Sequence, residues 1–466
     1  MNRRQLLNAL AASTAAVSLP GMAFARAPRL SLSLGDTASG PTIPADYVGL
    51  SYEAAQIANP DFFAASNTAL IALFRELSPS GVLRIGGGSS EYTSYSDRDP
   101  TGPAPFEVFG PDTSKTEKHG TVTTALALRN LRAFLDATGW TCIWGLNFGQ
   151  GSKDNAVAEA AAVQRILGPR LMLVQIGNEV DGFRTRYRPA DWTPADFLRE
   201  WNEFHDAIVA AAPGLKFAGP DISNKLDYLT AFAAEAPKHP DVVMLSAHYY
   251  AMGPAGNPEA TIAQLMEPDP STTTMRSERF PVVQEAVKAS GLPYRMTEGN
   301  SCWNGGQPGV SDTLASALWC ADAMLRFARL GWVGVNWHGG GNGHYSPIVG
   351  APSTGFARRP EFYGIRFAQF LTGATFVPAT LTGASRFVTA YAVERQGVRQ
   401  VAIVNKDLTP ATVALPVAAR PGAMLLTGPA RDATQGTTLG KVATGGGRSV
   451  TVPPHSAALF TLSDRG

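Results

Sequence analysis

The sequence predicts an α/β fold in which a (β/α)8 barrel, or TIM barrel, is followed by a C-terminal antiparallel β-sandwich domain. Two patterns lead to this prediction. Eight short apolar runs are separated by longer segments with helical spacing, and a region of closely spaced alternating strands follows them. The length of 466 residues agrees, because such a barrel takes about 250 residues or more and leaves room for a smaller domain.

The eight apolar runs are the predicted barrel strands. Segments between them, for example 124–137, 155–167, 194–212 and 312–330, have the apolar spacing of helices and are long enough to connect parallel strands. In this fold the loops at the carboxyl ends of the strands build the active site, so functional residues are expected directly after each run. The runs are 47–51, 82–85, 141–146, 171–176, 216–218, 242–246, 294–297 and 334–337.

The sandwich is predicted from the change of pattern at about Phe362. Alternating segments such as 387–393 and 400–405 follow, with turns at short intervals, which is typical of antiparallel sheets. Residues 30–34 alternate in the same way but precede the first barrel run, so we expect them to join the sandwich. The predicted organisation is an export signal at 1–25, one or more sandwich strands at 26–43, the barrel at 44–360 and the sandwich at 361–466.

The first 25 residues have the features of an export signal. A basic start with Arg3 and Arg4 is followed by a short apolar run and by Ala23-Phe24-Ala25, which is an A-x-A cleavage pattern. The run is too short and too interrupted to be a membrane anchor, which needs about 20 apolar residues. We expect a periplasmic or secreted protein. The paired arginines leave two routes open, export of the folded chain by the twin-arginine route and export by an ordinary basic signal.

Composition and motifs exclude several classes of partner. With 39 basic and 38 acidic residues, the net charge of +1 creates no overall field that would attract nucleic acid or a membrane surface. No cofactor and no metal site is implied, because the seven histidines are scattered without ligand spacing and the glycine runs at 86–88 and 339–341 lack the nucleotide-binding patterns. The three cysteines, Cys142, Cys302 and Cys320, allow at most one disulfide.

Two glutamates carry the strongest chemical signal. Glu179 follows the fourth predicted strand and Glu298 follows the seventh. Because the carboxyl ends of barrel strands surround one pocket, the two carboxyl groups are expected to face each other. Retaining hydrolysis of a glycoside needs such a pair about 5 Å apart, with one group attacking the anomeric carbon and the other protonating the leaving oxygen. A single glutamate would more often be a solvated loop carboxylate, and the shared position of the pair favours catalysis.

Five short stretches stand in order at the ends of the predicted strands. They are Leu-Ser-Tyr-Glu at 50–53, Arg-Ile-Gly-Gly at 84–87, Gly-Asn-Glu at 177–179, His-Tyr-Tyr at 248–250 and Glu-Gly-Asn-Ser at 298–301. Together they resemble glycoside hydrolase family 79, the β-glucuronidase and heparanase-like family of retaining barrel glycosidases, over essentially the whole mature chain. The resemblance implies that Glu179 is the general acid/base and that Glu298 is the nucleophile.

Further polar residues receive roles that agree with this resemblance. Asn178 can donate its amide to the sugar 2-hydroxyl, and Tyr250 can donate to the nucleophile and keep it ionised. Arg84 adds positive potential, His248 is a supporting residue, and Glu53 could accept hydrogen bonds from sugar hydroxyls. For the tyrosine and the arginine, the alternative is packing at the barrel mouth.

The identity of the sugar depends on three loop residues. The family pattern places tyrosines after strands seven and eight, together with a glycine amide, around a uronate carboxylate. Tyr345 matches the second tyrosine, whereas Trp303 stands at the first position, where an indole offers one N–H donor and more apolar surface. His344 could compensate as a cation if it faces inward, although a loop histidine is more often solvated.

The predicted function is that of a retaining exo-β-glycosidase that hydrolyses small β-glucuronides or oligosaccharides by double displacement through a glycosyl-enzyme intermediate. One alternative is a β-glucosidase or diglycosidase that acts on neutral glycosides. An alternative of another class is a non-catalytic carbohydrate-binding protein, against which the presence of both glutamates argues.

Overall fold

The computed structural model describes residues 30–98, 121–271, 279–339, 342–383 and 385–463. The predicted export signal lies outside these residues, as do the first residues of the predicted segment 26–43 and part of the glycine run at 339–341. In the part of the chain that the structure describes, no helix combines the length and the apolar character needed to cross a bilayer.

The described residues form 22 strands and nine α-helices, numbered in chain order. The strands are β1 Leu30–Leu34, β2 Val48–Glu53, β3 Val82–Gly86, β4 Thr93–Ser96, β5 Thr121–Thr124, β6 Thr141–Leu146, β7 Leu171–Ile176, β8 Phe217–Ile222, β9 Val242–Tyr250, β10 Tyr294–Asn300, β11 Gly334–His338, β12 Ile348–Ala351, β13 Gly355–Arg358, β14 Thr375–Val377, β15 Ala379–Thr382, β16 Val388–Arg395, β17 Val398–Asn405, β18 Ala411–Ala419, β19 Ala423–Thr427, β20 Thr438–Val442, β21 Gly447–Val452 and β22 Ser456–Thr461. The helices are α1 Thr68–Leu77, α2 Ala125–Thr138, α3 Lys153–Leu167, α4 Pro194–Ala211, α5 Leu226–Glu235, α6 Ile262–Met266, α7 Arg279–Ser290, α8 Leu314–Arg329 and α9 Pro360–Gln369.

Eight parallel strands close into a barrel in the order β2-β3-β6-β7-β8-β9-β10-β11, and β11 pairs with β2. Each of these strands coincides with one of the eight predicted runs, so the predicted barrel is confirmed. The strands are almost entirely buried, as β3 is over its whole length, because helices cover the outside of the barrel. The helices predicted between the runs correspond to α2, α3, α4 and α8.

Local signals set the ends of these helices. Thr193 caps α4, its hydroxyl accepting from the backbone N–H of Asp196, whose carboxylate accepts in return from the N–H of Thr193, and Pro194 occupies the first turn. At the end of α2, Gly139 has a φ of 82°, a left-handed conformation that glycine adopts without steric cost. The chain can therefore turn directly from α2 into β6.

The second domain consists of two sheets that pack face to face, which confirms the predicted sandwich. The four-stranded sheet has the order β15-β1-β18-β21, and the six-stranded sheet has the order β14-β16-β17-β22-β19-β20. Val401, Ile403, Val413 and Phe460 are among the buried residues of the core between them. Strand β1 pairs antiparallel with β15 and parallel with β18, so the chain contributes to the sandwich before it forms the barrel.

The outer face of the six-stranded sheet packs against the barrel. Tyr391 of β16 donates a hydrogen bond to Oδ1 of Asp322 in α8 at 2.7 Å, and Lys406 Nζ lies 2.8 Å from Oδ2 of the same residue. Helix α9 places Phe362 and Ile365 in the apolar core that the barrel shares with this sheet. Helix α9, which begins at the predicted boundary of 360, contacts both the barrel helix α8 and strands β19 and β20 of the sandwich.

Candidate active site

Glu179 and Glu298 meet at the carboxyl end of the barrel. Glu179 comes three residues after the end of β7, and Glu298 lies within β10. One carboxylate oxygen of Glu179, one of Glu298 and one ring nitrogen of His248 all lie within 4.8 Å of one another. Retaining glycosidases hold their two carboxyl groups about 5 to 5.5 Å apart, whereas inverting enzymes need about 6.5 to 9.5 Å. The closest oxygens of this pair are nearer to each other than the carboxyl separation of inverting enzymes.

The Glu298 carboxylate is held in its ionised form. Arg84 Nη1 donates to Oε2 at 2.7 Å, and the hydroxyl of Tyr250 donates to Oε1 at 2.7 Å. His338 Nδ1 lies 3.8 Å from Oε2. Burial alone would raise the pKa of Glu298, but the nearby charges of His338, His248 and Arg84 and the bond from Tyr250 lower this pKa to about 2. A carboxylate with these partners is available as a nucleophile at neutral pH.

Glu179 has the opposite environment. Its side chain is 35% exposed, so it can be reached from the pocket, and Oε1 lies 3.1 Å from His248 Nδ1. Desolvation by the surrounding protein raises the pKa of Glu179, the hydrogen bond and charge of His248 oppose this rise, and the negative charges of Glu298 and Asp181 add to it. The two glutamates therefore differ in the direction of their pKa shifts, as an acid and a nucleophile in one site must.

Asp221 supplies a buried negative charge beneath this pair. Its Oδ2 accepts from Arg84 Nη2 at 2.6 Å, and its Oδ1 accepts from Gln175 Nε2 at 2.5 Å and from the hydroxyl of Thr297. Burial alone would raise the pKa of Asp221, but the charges of Arg84 and His248 hold it well below its usual range. Asp221 is therefore an anion at neutral pH.

His248 lies between Asp221 and the glutamates. Its Nε2 is 3.2 Å from Asp221 Oδ2, an ion-pair contact that is not aligned as a hydrogen bond. Burial alone would lower the pKa of His248, but the negative charges of Asp221 and Glu298 and the close contacts with Asp221 and Glu179 raise it to about 10. His248 is therefore a buried cation at neutral pH.

Asn178 is oriented by its neighbours on both sides. Arg84 Nη2 donates to Oδ1 of Asn178 at 2.6 Å, and because a guanidinium has only donors, this contact assigns the side-chain oxygen. The backbone N–H of Asn178 donates to Oε1 of Glu91, whose Oε2 accepts from the N–H of Phe148 at 3.0 Å. Burial raises the pKa of Glu91 to about 7, although the hydrogen bonds from these backbone amides act to lower it. The Nδ2 group of Asn178 has no bond within the described chain and remains a donor for a ligand.

Backbone geometry marks the same place. Glu179 has a φ of 50° and Asp221 a φ of 59°, both in the left-handed region that non-glycine residues rarely occupy. The N–H of Glu179 donates to the carbonyl oxygen of Asp221 at 2.7 Å. Strained residues of this kind persist where the surrounding structure fixes them, which is common at active sites.

The structure also brings Glu53 into the site. Oε2 of Glu53 accepts from the backbone N–H of Ser89 at 2.8 Å and from the Ser89 hydroxyl at 2.5 Å. Oε1 lies 3.5 Å from His338 Nε2. Burial would raise the pKa of Glu53, but the hydrogen bond and charge of His338 produce a net lowering. An ionised Glu53 can accept hydrogen bonds from sugar hydroxyls.

The three loop residues predicted to contact the sugar divide into two groups. Tyr345 lies beside Tyr250 with ring centroids 6.5 Å apart, and Trp303 stands edge-on to Tyr250 at 6.3 Å. His344 contacts another loop residue, since its Nδ1 lies 3.0 Å from Asp312 Oδ2. Its role as an inward-facing cation stays a prediction.

Sequence reasoning missed Asp221, His338, Gln175 and Glu91. Asp221 lies on the fifth barrel strand, but the predicted run stopped at residue 218 because Gly219 and Pro220 are typical of a turn. His338 is the last residue of β11, one position beyond the eighth run, so the rule that functional residues follow each run could have found it. Gln175 lies within β7 and Glu91 in a short turn after β3, and neither carries a local signal.

Two groups of potential metal ligands occur in the described residues, namely Glu179, His248 and Glu298, and also His205, His239 and Asp241. In the first group, the raised pKa of His248, about 10, keeps both ring nitrogens protonated at neutral pH, and a metal ligand must be a neutral imidazole. A metal ion bound at this group would have to displace a proton from His248. The second group lies at the other end of β9.

A (β/α)8 barrel with paired glutamates after its fourth strand and in its seventh has the architecture of the retaining barrel glycosidases.

No family model matches the chain. Two curated proteins named β-glucuronidase are similar to it, and they confirm the predicted resemblance to β-glucuronidases. The protein of Neurospora crassa is 25% identical over 319 residues, covering 62% of this chain and 56% of the relative. The protein of Aspergillus niger is 27% identical over 249 residues, covering 48% of this chain and 46% of the relative. The chain thus spans about half the length of these relatives.

Solved structures agree on the fold. A 4-O-α-L-rhamnosyl-β-D-glucuronidase from Fusarium oxysporum 12S superimposes with a TM-score of 0.73 at 18% identity, covering 92% of this chain and 99% of that chain. A GH51 arabinofuranosidase from Xanthomonas axonopodis pv. citri gives a TM-score of 0.66 at 16% identity, covering 94% and 100%. The fold is therefore shared along almost the whole length of both structures.

Proposed function

We propose that this protein is a retaining exo-β-glycosidase that hydrolyses β-glucuronides. The observation that carries the proposal is the pair Glu179 and Glu298, whose carboxyl oxygens lie within 4.8 Å and whose pKa values are shifted in opposite directions. The names of the two curated relatives, both β-glucuronidases, support the choice of substrate.

The reaction proceeds in two displacements. In the first, Glu298 attacks the anomeric carbon while Glu179 gives its proton to the glycosidic oxygen, so the carbon–oxygen bond breaks and the aglycone leaves as an alcohol. In the second, Glu179 takes a proton from water, the resulting hydroxide attacks the anomeric carbon, and the bond to Glu298 breaks. The sugar leaves with its original anomeric configuration, and both glutamates return to their starting states.

The surrounding residues stabilise the charge that develops. Nδ2 of Asn178 is free to donate to the 2-hydroxyl, an interaction that strengthens as positive charge grows on the sugar ring. Arg84 and Tyr250 hold Glu298 in position for attack. His248 stays charged throughout and donates to Glu179, so it stabilises the carboxylate that Glu179 becomes after it has given up its proton.

Recognition of a uronate needs hydrogen-bond donors around its carboxylate. Burial raises the pKa of Tyr345 well above its usual value, so the hydroxyl stays protonated and can donate. Trp303 offers only its indole N–H. This substitution is the observation that favours a second candidate, a glycosidase for neutral sugars.

The decisive experiment compares an aryl β-glucuronide with the matching aryl β-glucoside and follows the first-formed anomer by proton NMR. We expect faster hydrolysis of the glucuronide and the β-anomer as the first product. Glu298→Ala should lower kcat by about 10³-fold or more on either substrate, while Glu259→Ala, at an exposed position, serves as the control with unchanged rates. An inverted product would disprove the mechanism. Sugar binding without any turnover would favour the carbohydrate-binding alternative.

We also propose that the protein is exported to the periplasm or secreted, which rests on the predicted signal at 1–25. Fractionation of cells that express the full chain should find it outside the cytoplasm, processed after Ala25. Replacement of both Arg3 and Arg4 by lysine should block export if the twin-arginine route is used and leave it unchanged if the ordinary route is used.

A further inference from the structure

A second cluster of polar side chains lies at the amino end of the barrel, opposite the active site. His205 lies on α4, and His239 and Asp241 lie in the loop that leads into β9. His248 lies near the other end of β9, seven residues beyond Asp241 (248 minus 241), which corresponds to about 23 Å at the rise of a β-strand. The cluster is therefore separate from the catalytic pair.

The three side chains converge on one point. One side-chain donor atom from each lies within 4.8 Å of the other two, and His205 Nε2 lies 3.1 Å from Asp241 Oδ1. The rings of His205 and His239 are 4.6 Å apart between centroids. Ligand atoms at about 2.0 to 2.2 Å from a tetrahedral metal ion stand about 3.3 to 3.6 Å from each other. Side-chain rotations that move the ligand atoms by about 1 Å would therefore complete such a site.

Both ring nitrogens of His205 have hydrogen-bond partners within the protein, whereas one ring nitrogen of His239 has none among the described residues. Nε2 of His239 is buried and has no hydrogen-bond partner among the described residues. The nearest carboxylate oxygen, Oε1 of Glu235, is 3.6 Å away, beyond hydrogen-bond range. A buried polar atom without a partner costs free energy, which a bound ion or an ordered water can offset.

His205 is arranged in the way that metal-binding histidines are. Its Nδ1 lies 3.0 Å from Oδ1 of Asp206, and a carboxylate in this position orients the ring and makes its other nitrogen the donor to a metal. Trp201 stacks on the same ring at 4.9 Å with an interplanar angle of 19°. Ring plane and donor direction are thus both fixed.

We propose that His205, His239 and Asp241 bind one divalent transition-metal ion of the zinc class, with Glu235 or water as the fourth ligand. Two imidazoles and one carboxylate are a ligand set that zinc accepts and that magnesium does not prefer. The ion would join α4 to the start of β9 and stabilise the amino end of the barrel, the face on which this fold places stability and not catalysis. The proposal departs from the expectation of no metal site, because His205 and His239 are 34 residues apart (239 minus 205) and only the fold brings them together.

The test is titration of the full-length protein, stripped with EDTA, with Zn²⁺ and separately with Mg²⁺. We expect one Zn²⁺ per chain by calorimetry, a higher Tm with Zn²⁺, and neither effect with Mg²⁺. His239→Gln should weaken Zn²⁺ binding at least tenfold, and Asp206→Asn should weaken it about tenfold through loss of ring orientation. His455→Gln, which removes a histidine outside the cluster, should leave binding unchanged. Absence of a Tm shift in the unaltered chain, or an equal shift in His239→Gln, would overturn the proposal.

Two further measurements keep the outcome clear. Glu179→Gln removes a ligand from the other cluster, so loss of Zn²⁺ binding in this variant and its retention in His239→Gln would assign the metal to the active site and disprove the proposal. Co²⁺ added to the unaltered chain should produce the visible absorption of a four-coordinate nitrogen and oxygen site. A spectrum identical to that of aqueous Co²⁺ would contradict the proposal without any substitution.

Discussion

Asp221 Oδ2 lies 2.6 Å from Arg84 Nη2 in the interior of the barrel, and both side chains are buried. Arg84 reaches Glu298 with its other terminal nitrogen, and His248 Nε2 lies 3.2 Å from the same oxygen of Asp221. Two cations and two anions therefore share one buried network. Because a buried charge is stable only when it is paired, each member sets the protonation of the others.

Replacement of Asp221 by asparagine should destabilise the fold. Arg84 and His248 would lose their shared counter-charge, and removal of one partner of a buried pair costs about 3 to 5 kcal/mol of unfolding free energy. Urea unfolding measures this loss. Asp136→Asn is the matched control, because Asp136 pairs with Arg132 and Arg170 at the surface, where such pairs contribute about 1 kcal/mol or less. Equal losses in the two variants would show that Asp221 is not a counter-charge.

Replacement of His248 by glutamine should shift the pH profile of kcat/KM upward. Turnover requires Glu298 ionised and Glu179 protonated, and the charge of His248 lowers the pKa of both. Without this charge both pKa values rise, so the acidic limb and the basic limb move to higher pH together. Rates on an aryl β-glucuronide across the pH range measure the shift. Limbs that stay in place, or that move in opposite directions, would contradict the assigned protonation states.

Tyr250→Phe should lower kcat/KM by about 10- to 100-fold, because it removes one hydrogen bond to a charged group, which contributes about 1.5 to 3 kcal/mol. The pKa of Glu298 should also rise, since the donated bond lowers it, and the acidic limb should move upward. The neighbouring Tyr249 provides the control. Its hydroxyl faces Ser271 at 3.5 Å, so Tyr249→Phe should keep both the rate and the profile. An unchanged acidic limb in Tyr250→Phe would show that the Tyr250 hydroxyl does not lower the pKa of Glu298.

Glu159 provides a prediction about stability. Its Oε1 accepts from Trp144 Nε1 at 3.0 Å between α3 and the barrel wall, and burial raises its pKa to about 8. A folded-state pKa above the unfolded value means that the protonated carboxyl stabilises the fold. This contribution is full below about pH 4.5 and is lost as the pH rises through about 8. The unfolding free energy of Glu159→Gln should equal that of the unaltered chain at pH 5 and exceed it at pH 9. A variant less stable at pH 9 would contradict the raised pKa.

Trp303→Tyr should change the choice of sugar. A phenol adds a hydroxyl donor near Tyr250, so hydrolysis of an aryl β-glucuronide should gain about tenfold in kcat/KM over the matching glucoside, the equivalent of one hydrogen bond. Trp303→Phe is the control, because it removes the indole N–H without adding a hydroxyl. A ratio that stays constant in both variants would place Trp303 outside the sugar site.

Most of the fold could be predicted because its strands have clear patterns. The eight barrel strands are short apolar runs that end in polar or glycine-rich loops, and the barrel requires those ends to meet. This is why the sequence predicts that Glu179, Glu298 and Tyr250 lie at one end of the barrel, while their roles stay predictions. Strand β8 is an exception, since Gly219 and Pro220 within it are typical of turns. The predicted run therefore ends before Asp221.

The rest of the site depends on contacts that no local pattern records. Glu91 contacts Asn178 across 87 positions of sequence, and its burial follows from packing against residues on other strands. His344 was predicted only from its place next to Tyr345, and its contact with Asp312 is set by the fold of two loops. Side-chain direction within a loop is decided by tertiary packing, so sequence reasoning names such residues but does not orient them.

Strand β1 has a consequence for the order in which the protein is made. Leu34 pairs with Ala379, 345 positions later (379 minus 34), and Leu30 pairs with Val413. During synthesis the whole barrel leaves the ribosome before either neighbour of β1 exists, and an unpaired apolar strand is open to wrong pairing in the meantime. A chain that terminates early keeps that strand exposed. Strand β1 is thus protected on both sides only after β15 and β18 have been synthesised.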